Sequence, residues 1–220
     1  MASPDRQWKR KFSAYETAVS WETASKTDSG LPAEIVKLLR KGDYADPILM
    51  IAVAEHKVPL PGGNADSQSD VWAIVKTSQG MLSLTVEAKA REVFGNEILE
   101  KWFTAGRTEE SEANRRKRWE YIQKFLPNTG SYSNVRYQLL HRCAAAVIEA
   151  ERFGFNHAAF VVQAFEAPKK RFADYATFCA AMKLPAEPET MATTVVGKIS
   201  LSVGWADCAC ATDGEIAAIA

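Results

Sequence analysis

The sequence predicts an α/β protein whose mixed central sheet is flanked by helices. Three observations carry this. Stretches with apolar residues at helical spacing alternate along the chain with short apolar runs of strand length. Two of the strand segments are separated by so short a turn that they must run antiparallel. A long helical connection then leads into another apolar strand, which allows a parallel crossover.

Trp8, Phe12, Tyr15 and Val19 stand at i, i+4, i+7 and i+11, one face of an amphipathic helix over about 6–24. Thr27-Asp28-Ser29-Gly30 breaks it. A second helix starts near Pro32 and runs through AEIVKLLRKG to a glycine stop. DPILMIAVAEHKVPL reads as a strand, apolar nearly throughout and therefore central in the sheet. PGGNADSQS is a loop of turn formers. SDVWAIVKTSQGMLSLTVEAK is a β-hairpin. Residues 96–105 and 109–126 read as helices, the second closed by Pro127, and another spans about 134–152, ending near Gly154. HAAFVVQAF is a buried strand, FADYATFCAAM a helix and TVVGKISLSVGW a last strand. With no repeat, low-complexity tract or linker, residues 1–220 read as a single domain.

The totals narrow the classes of function. The 27 basic and 27 acidic side chains cancel, so no global basic field marks nucleic acid or an anionic membrane as a partner. Local basic patches occur at Lys9-Arg10-Lys11, Arg115–Arg118 and Lys169–Arg171. Cys143, Cys179, Cys208 and Cys210 have neither the spacing of a disulfide framework nor that of a C-x-x-C site. The three histidines, His56, His141 and His157, fall in different elements, which argues against a histidine-based zinc site. The opening MASPDRQWKRKF lacks an apolar signal core, and no window approaches the ~18 apolar residues of a membrane span. A soluble, cytoplasmic protein is expected. Phosphate-binding glycine loops and the G-x-S-x-G elbow are absent.

The chemistry gathers on the hairpin. A turn at Ser78-Gln79 sets Asp70 opposite Glu87. A turn at Gln79-Gly80 sets it opposite Lys89, with Trp72 facing Glu87. Directly opposite Cβ atoms lie ~5 Å apart and diagonal ones ~7–8 Å, so both registers collect the three groups at one end. Glu87 and Lys89, two apart, share a face with Ser83 and Thr85, while Leu82, Leu84, Val86 and Ala88 form the apolar side. Paired carboxylates repel unless a cation sits between them, and carboxylate oxygens suit Mg²⁺. A nearby lysine can hold the attacking water or stabilise developing charge. The alternative is an alternating strand whose Glu and Lys stand on a wet face and merely pair.

Asp70 followed by a hairpin and Val86-Glu87-Ala88-Lys89 resembles the PD-(D/E)XK nuclease superfamily. The resemblance implies a restriction-endonuclease-like fold with its core over about 31–165 and a helical insertion over about 96–130. It also implies Asp70 and Glu87 as ligands of Mg²⁺ or Mn²⁺, Lys89 assisting the water, and DNA or RNA as substrate. A further acid on the first core helix is common there, with Glu34 the candidate and Glu22 its competitor. VEAKAREVFG with RYQLLHRCAAAVIEAERFG is similar to an uncharacterised bacterial family of that superfamily. Ser69 stands where many members have proline. A catalytically inactive member binding nucleic acid or protein is the alternative.

On the helix after the E-x-K strand, Gln138, Arg142, Ala145 and Glu149 share one face, with His141 beside it. By the resemblance, Gln138, His141 and Arg142 are candidates to bind phosphate or orient the carboxylates. Otherwise Arg142 and Glu149 are surface residues and His141 is structural. Glu92 is either an extra acid or a cap. Arg115–Arg118 with Trp119 either tracks a nucleic-acid backbone or forms a solvated helix face, with Trp119, Ile122 and Phe125 packing inward.

Overall fold

A computed structural model describes residues 8–95, 97–105 and 108–219. In chain order the elements are α1 (Ser13–Ala24), α2 (Ala33–Lys41), β1 (Ile48–Val58), β2 (Ser67–Thr77), β3 (Gly80–Lys89), α3 (Leu99–Thr104), α4 (Glu109–Ile122), α5 (Tyr137–Phe153), β4 (His157–Phe165), α6 (Lys169–Ala181), β5 (Met191–Val196), β6 (Ile199–Cys208) and α7 (Asp213–Ile219). The six strands form one sheet in the order β1-β2-β3-β4-β6-β5. The pairs β1–β2, β2–β3 and β5–β6 are antiparallel, whereas β3–β4 and β4–β6 are parallel. The molecule is thus the α/β protein with a mixed, helix-flanked sheet that the sequence predicts. No helix among the described residues is long and apolar enough to cross a membrane.

The sheet separates two apolar layers because side chains alternate along each strand. On one face Val71, Val75, Leu82, Leu84 and Val86 pack under Ile35, Leu38 and Leu39 of α2. On the other, Phe160 and Val162 of β4 pack under Leu139, Cys143, Ala146 and Val147 of α5. The alanine-rich stretch of α5 lets that helix lie close to the sheet, and α5 is the element that covers Glu87 and Lys89. Gly204 of β6 has the same effect beneath α2. A Cβ there would stand 2.8 Å from Leu38 Cδ2 and 3.2 Å from Met191 Cγ.

Three expectations need correction, and one element was not expected. The first helix begins at Ser13 rather than near residue 6. Trp8 stands half-exposed before it, edge-on to Tyr15, and residues 1–7 lie outside the described residues. Strand β1 is an edge strand, not a central one, and leaves Ile48, Met50 and Ile51 about half exposed. TVVGKISLSVGW is not one strand but parts of two, β5 and β6, which reverse at Gly197-Lys198. Gly197 takes φ +59, a value that glycine adopts without a Cβ penalty. The short α7 after residue 212 went unforeseen.

The close approach of α2 to β6 has a measurable consequence. Gly204→Val is expected to lower stability by about 1–3 kcal/mol through overpacking against Leu38 and Met191. Denaturant unfolding of both proteins measures it.

Candidate active site where β2 parts from β3

The hairpin turns at Ser78-Gln79, with Thr77 paired to Gly80 and pairing continuing to Val71–Val86. The Thr77 hydroxyl pins the turn, accepting from the Gln79 amide (3.1 Å) and donating to the Gly80 carbonyl (3.0 Å). This is the first of the two registers, and it brings Asp70 level with Glu87. There the strands are linked by a side chain: Asp70 Oδ2 accepts from the Ala88 amide at 2.6 Å.

Glu87 and Lys89 stand on the face beneath α5, and they are buried rather than wet. Lys89 Nζ donates to Glu87 Oε1 and to the Ala88 carbonyl (3.2 Å), and lies 5.3 Å over the Phe94 ring. From α5, Gln138 Nε2 donates to Glu87 Oε1 at 2.7 Å and Arg142 Nε to Glu87 Oε2 at 2.8 Å. Gln138 and Arg142 reach one carboxylate because four residues span about one helical turn. Two buried atoms of the same cluster, Gln138 Oε1 and Arg142 Nη1, have no hydrogen-bond partner among the described residues. A cavity of about 450 Å³ lined by Gly95, Glu97, Trp102, Tyr137, Gln138 and His141 adjoins the first of these side chains.

The two carboxyls sit in opposite electrostatic states. Burial would push Glu87 up, but the Lys89 ammonium and Arg142 guanidinium hold it below the ordinary carboxylate value. Asp70 is pushed up to about 7, first by burial and then by the Glu87 charge, against the weaker pull of Lys89, the Ala88 amide and Arg142. His141 is held well below its usual value by burial and by the charges of Arg142 and Arg118, so it is neutral at pH 7. Its Nδ1 meets the Ser67 hydroxyl at 2.8 Å and its ring leans on Tyr137, so it orients the start of β2 rather than Glu87.

The site therefore gathers Asp70, Glu87, Lys89, Gln138 and Arg142. Glu34 stands elsewhere, in a cleft of about 900 Å³ lined by α1, α2 and the end of β6, where its charge acts on Cys208 and Lys37. Glu22 is exposed on α1. Glu92 is a cap, accepting from the Ala90 and Ser13 amides at 3.0 Å each. The basic run is largely structural: buried Arg118 donates to the Pro61 and Leu60 carbonyls, and Arg115 to the Trp102 carbonyl while covering its ring. Arg116 pairs with Glu112. Sequence reasoning missed Phe94 and the Trp102–Tyr137 stack, whose rings lie 4.0 Å apart, because both depend on how the insertion folds back.

The residues fit a hard divalent cation. One oxygen of Asp70 has no hydrogen bond among the described residues, and Glu87 Oε2, which accepts only from Arg142 there, retains acceptor capacity. Among the described residues no three His, Cys, Asp or Glu side chains converge, so such a cation would take two carboxylates and complete its shell with water and substrate oxygens.

The raised Asp70 carboxyl gives stability a signed pH dependence. Unfolded, it ionises near 3.8; folded, near 7. Between these the folded state holds the extra proton, so this group's contribution falls as pH rises and is flat above about 7. In metal-free buffer the stability of wild type relative to Asp70→Asn should fall by on the order of 2 kcal/mol from pH 4 to pH 8, less than a sealed site would give. Denaturant midpoints across that range measure the difference, and a flat difference contradicts the assignment.

No curated protein and no solved structure matches the chain. The family model described as a domain of unknown function (DUF6946) matches residues 1–210, and the chain belongs to that family.

Proposed function

We propose that this chain is a metal-dependent nuclease of the PD-(D/E)XK type, on a restriction-endonuclease-like fold, hydrolysing phosphodiester bonds of DNA or RNA. The observation that carries the reading is the convergence of Asp70, Glu87 and Lys89 at the parted end of the hairpin, with Gln138 and Arg142 aimed at the same carboxylate. Burying such a cluster costs more than filling the same space with apolar side chains, so stability alone is a poor reason for it. The unsatisfied Gln138 Oε1 and Arg142 Nη1 point the same way, toward groups that a ligand would satisfy.

In this reading Asp70 and Glu87 hold Mg²⁺ or Mn²⁺. When bound, the metal polarises the phosphoryl oxygen and acidifies a water. Lys89, kept in place by Glu87 and Ala88, orients that water by hydrogen bonding. Arg142 spends Nε on Glu87, and its buried Nη1, unpartnered among the described residues, would be satisfied by a phosphate oxygen entering the site, which a planar guanidinium suits. Gln138 fixes the Glu87 carboxylate through its amide nitrogen and can accept a water proton at Oε1. Neutral His141 adds no charge that would compete with the cation.

A second reading has its own supporting observation. Glu87 already receives three donors from Lys89, Gln138 and Arg142, so it is charge-satisfied without any metal. That favours a catalytically inactive member of the same fold, binding nucleic acid or protein.

Incubation of single- and double-stranded DNA and RNA with Mg²⁺ or Mn²⁺ separates the two. Wild type is expected to cleave at least one of them, and Lys89→Ala to lose on the order of 10²-fold or more in rate while staying folded. Equal cleavage by both proteins, or none by wild type, supports the inactive reading.

A further inference from the structure

A second carboxylate on α5 is buried without good partners. Glu149 is not the surface residue that its spacing allowed: it is 0% exposed, and neither of its oxygens makes a hydrogen bond among the described residues. Arg152 brings Nη1 to 2.8 Å from Oε1, but out of hydrogen-bond alignment and from a side chain that is 48% exposed. The other neighbour is His56 of β1, whose Nε2 stands 3.5 Å from the same oxygen. That nitrogen is also buried and has no hydrogen-bond partner among the described residues. Ser69, paired with His56 across β1 and β2, adds a third buried atom in the same state, its Oγ.

The backbone turns His56 toward α5 at a cost. Val53 pairs with Trp72 and shares its face, so strict alternation would send His56, three residues on, to the opposite face. Glu55 between them takes φ +55, a left-handed conformation that a side-chain-bearing residue keeps only when its surroundings enforce it. The His56 ring then stacks on Trp72, with centroids 4.7 Å apart and planes 24° apart, and Trp72 stacks on Phe153 at the end of α5. The imidazole is thus held in one orientation with Nε2 toward Glu149.

We propose that His56 and Glu149 bind a Zn²⁺ ion that clips the edge strand β1 to α5. The 3.5 Å spacing is long for a hydrogen bond. Zinc bonds to nitrogen and oxygen of ~2.0–2.2 Å at the tetrahedral angle set two ligand atoms about 3.4 Å apart. Neighbouring ligands of octahedral Mg²⁺ would stand about 2.9 Å apart. An imidazole nitrogen beside a carboxylate also suits zinc better than Mg²⁺ or Ca²⁺. The scatter of the histidines counts against a centre with several of them, but this one needs a single histidine. No third His, Cys, Asp or Glu converges among the described residues, so water completes the shell, with Ser69 Oγ placed to accept from it. Arg152, half in solvent, gives way to the metal. Ser69 directly precedes Asp70, so the clip would steady β2 where it parts from β3. The proposal is independent of the nuclease reading, since it shares no ligand with the Asp70–Glu87 pair.

Titration of Zn²⁺ into the metal-stripped full chain, read by competition with a chromophoric chelator, tests it. The chain carries Asp70→Asn, which removes the other carboxylate pair from competition, and folding is checked by circular dichroism. One equivalent of Zn²⁺ is expected to bind and to raise the melting temperature. His56→Phe keeps a ring on Trp72, and Glu149→Gln keeps the side chain's shape. Each is expected to weaken binding at least about tenfold, the smallest loss that removing even a supporting group causes, and to abolish the thermal shift. Arg152→Ala, which removes the competing cation, is expected to bind more tightly. X-ray absorption of the zinc-loaded protein should show only nitrogen and oxygen neighbours, at about 2.0–2.2 Å, and it decides the matter even where a ligand variant fails to fold. Absence of stoichiometric binding overturns the proposal. So does unchanged affinity in a folded His56→Phe or Glu149→Gln protein, and so do sulfur neighbours at about 2.3 Å, which would put the ion on cysteines.

Discussion

A carboxylate buried between an ammonium and a guanidinium organises this molecule. Glu87 is 1% exposed at a position where an isolated ionised group would cost several kcal/mol. It stays ionised because Lys89 comes from its own strand and Arg142 from the helix above, each within hydrogen-bond reach. That arrangement ties α5 to β3 at a defined height. It needs the alanine-rich stretch of α5 that lets the helix approach, and the parallel β3–β4 pairing that puts β4 beneath the same helix. Breaking the anion's contacts would leave two cations buried together, so cluster and packing are interdependent.

The hairpin supplies what the helix cannot. Once β2 ceases to pair with β3, Asp70 turns its carboxylate onto the amide of Ala88, the residue between Glu87 and Lys89. Two carboxyls so placed cannot both ionise freely, and the strain falls on Asp70, the one without a cation of its own. An electrostatic vacancy of that kind is what a divalent ion relieves. The same arrangement in a purely structural cluster would leave a weakened carboxyl at the hairpin's end with no compensating gain.

Much of this was legible in the chain. The two-residue turn restricts the registers, and strand alternation puts Glu87 and Lys89 on one face. The i, i+4 spacing gives Gln138 and Arg142 a common target. Other features depend on long-range choices that local patterns do not encode. The apolar composition of β1 says that it is to be covered, but not by what, since strand order is decided by backbone pairing. Gly197-Lys198 interrupts an apolar run that continues on both sides of the turn, so two strands read as one. Glu34 lies on a helix whose side of the sheet the sequence leaves open, and α2 packs on the face opposite Glu87. Arg118 looks like part of a solvated charge run, but its guanidinium satisfies the loop carbonyls of Leu60 and Pro61.

The central claim is that Asp70 and Glu87 share a divalent cation. Crystals grown without metal and then soaked in Mn²⁺, with data collected at the manganese edge, address it directly. The expected result is an anomalous peak about 2.1 Å from one oxygen of each carboxylate, with Lys89 shifted toward a coordinated water. Contradiction would be the absence of any peak there, with Asp70 still on the Ala88 amide and Glu87 still held by Lys89, Gln138 and Arg142.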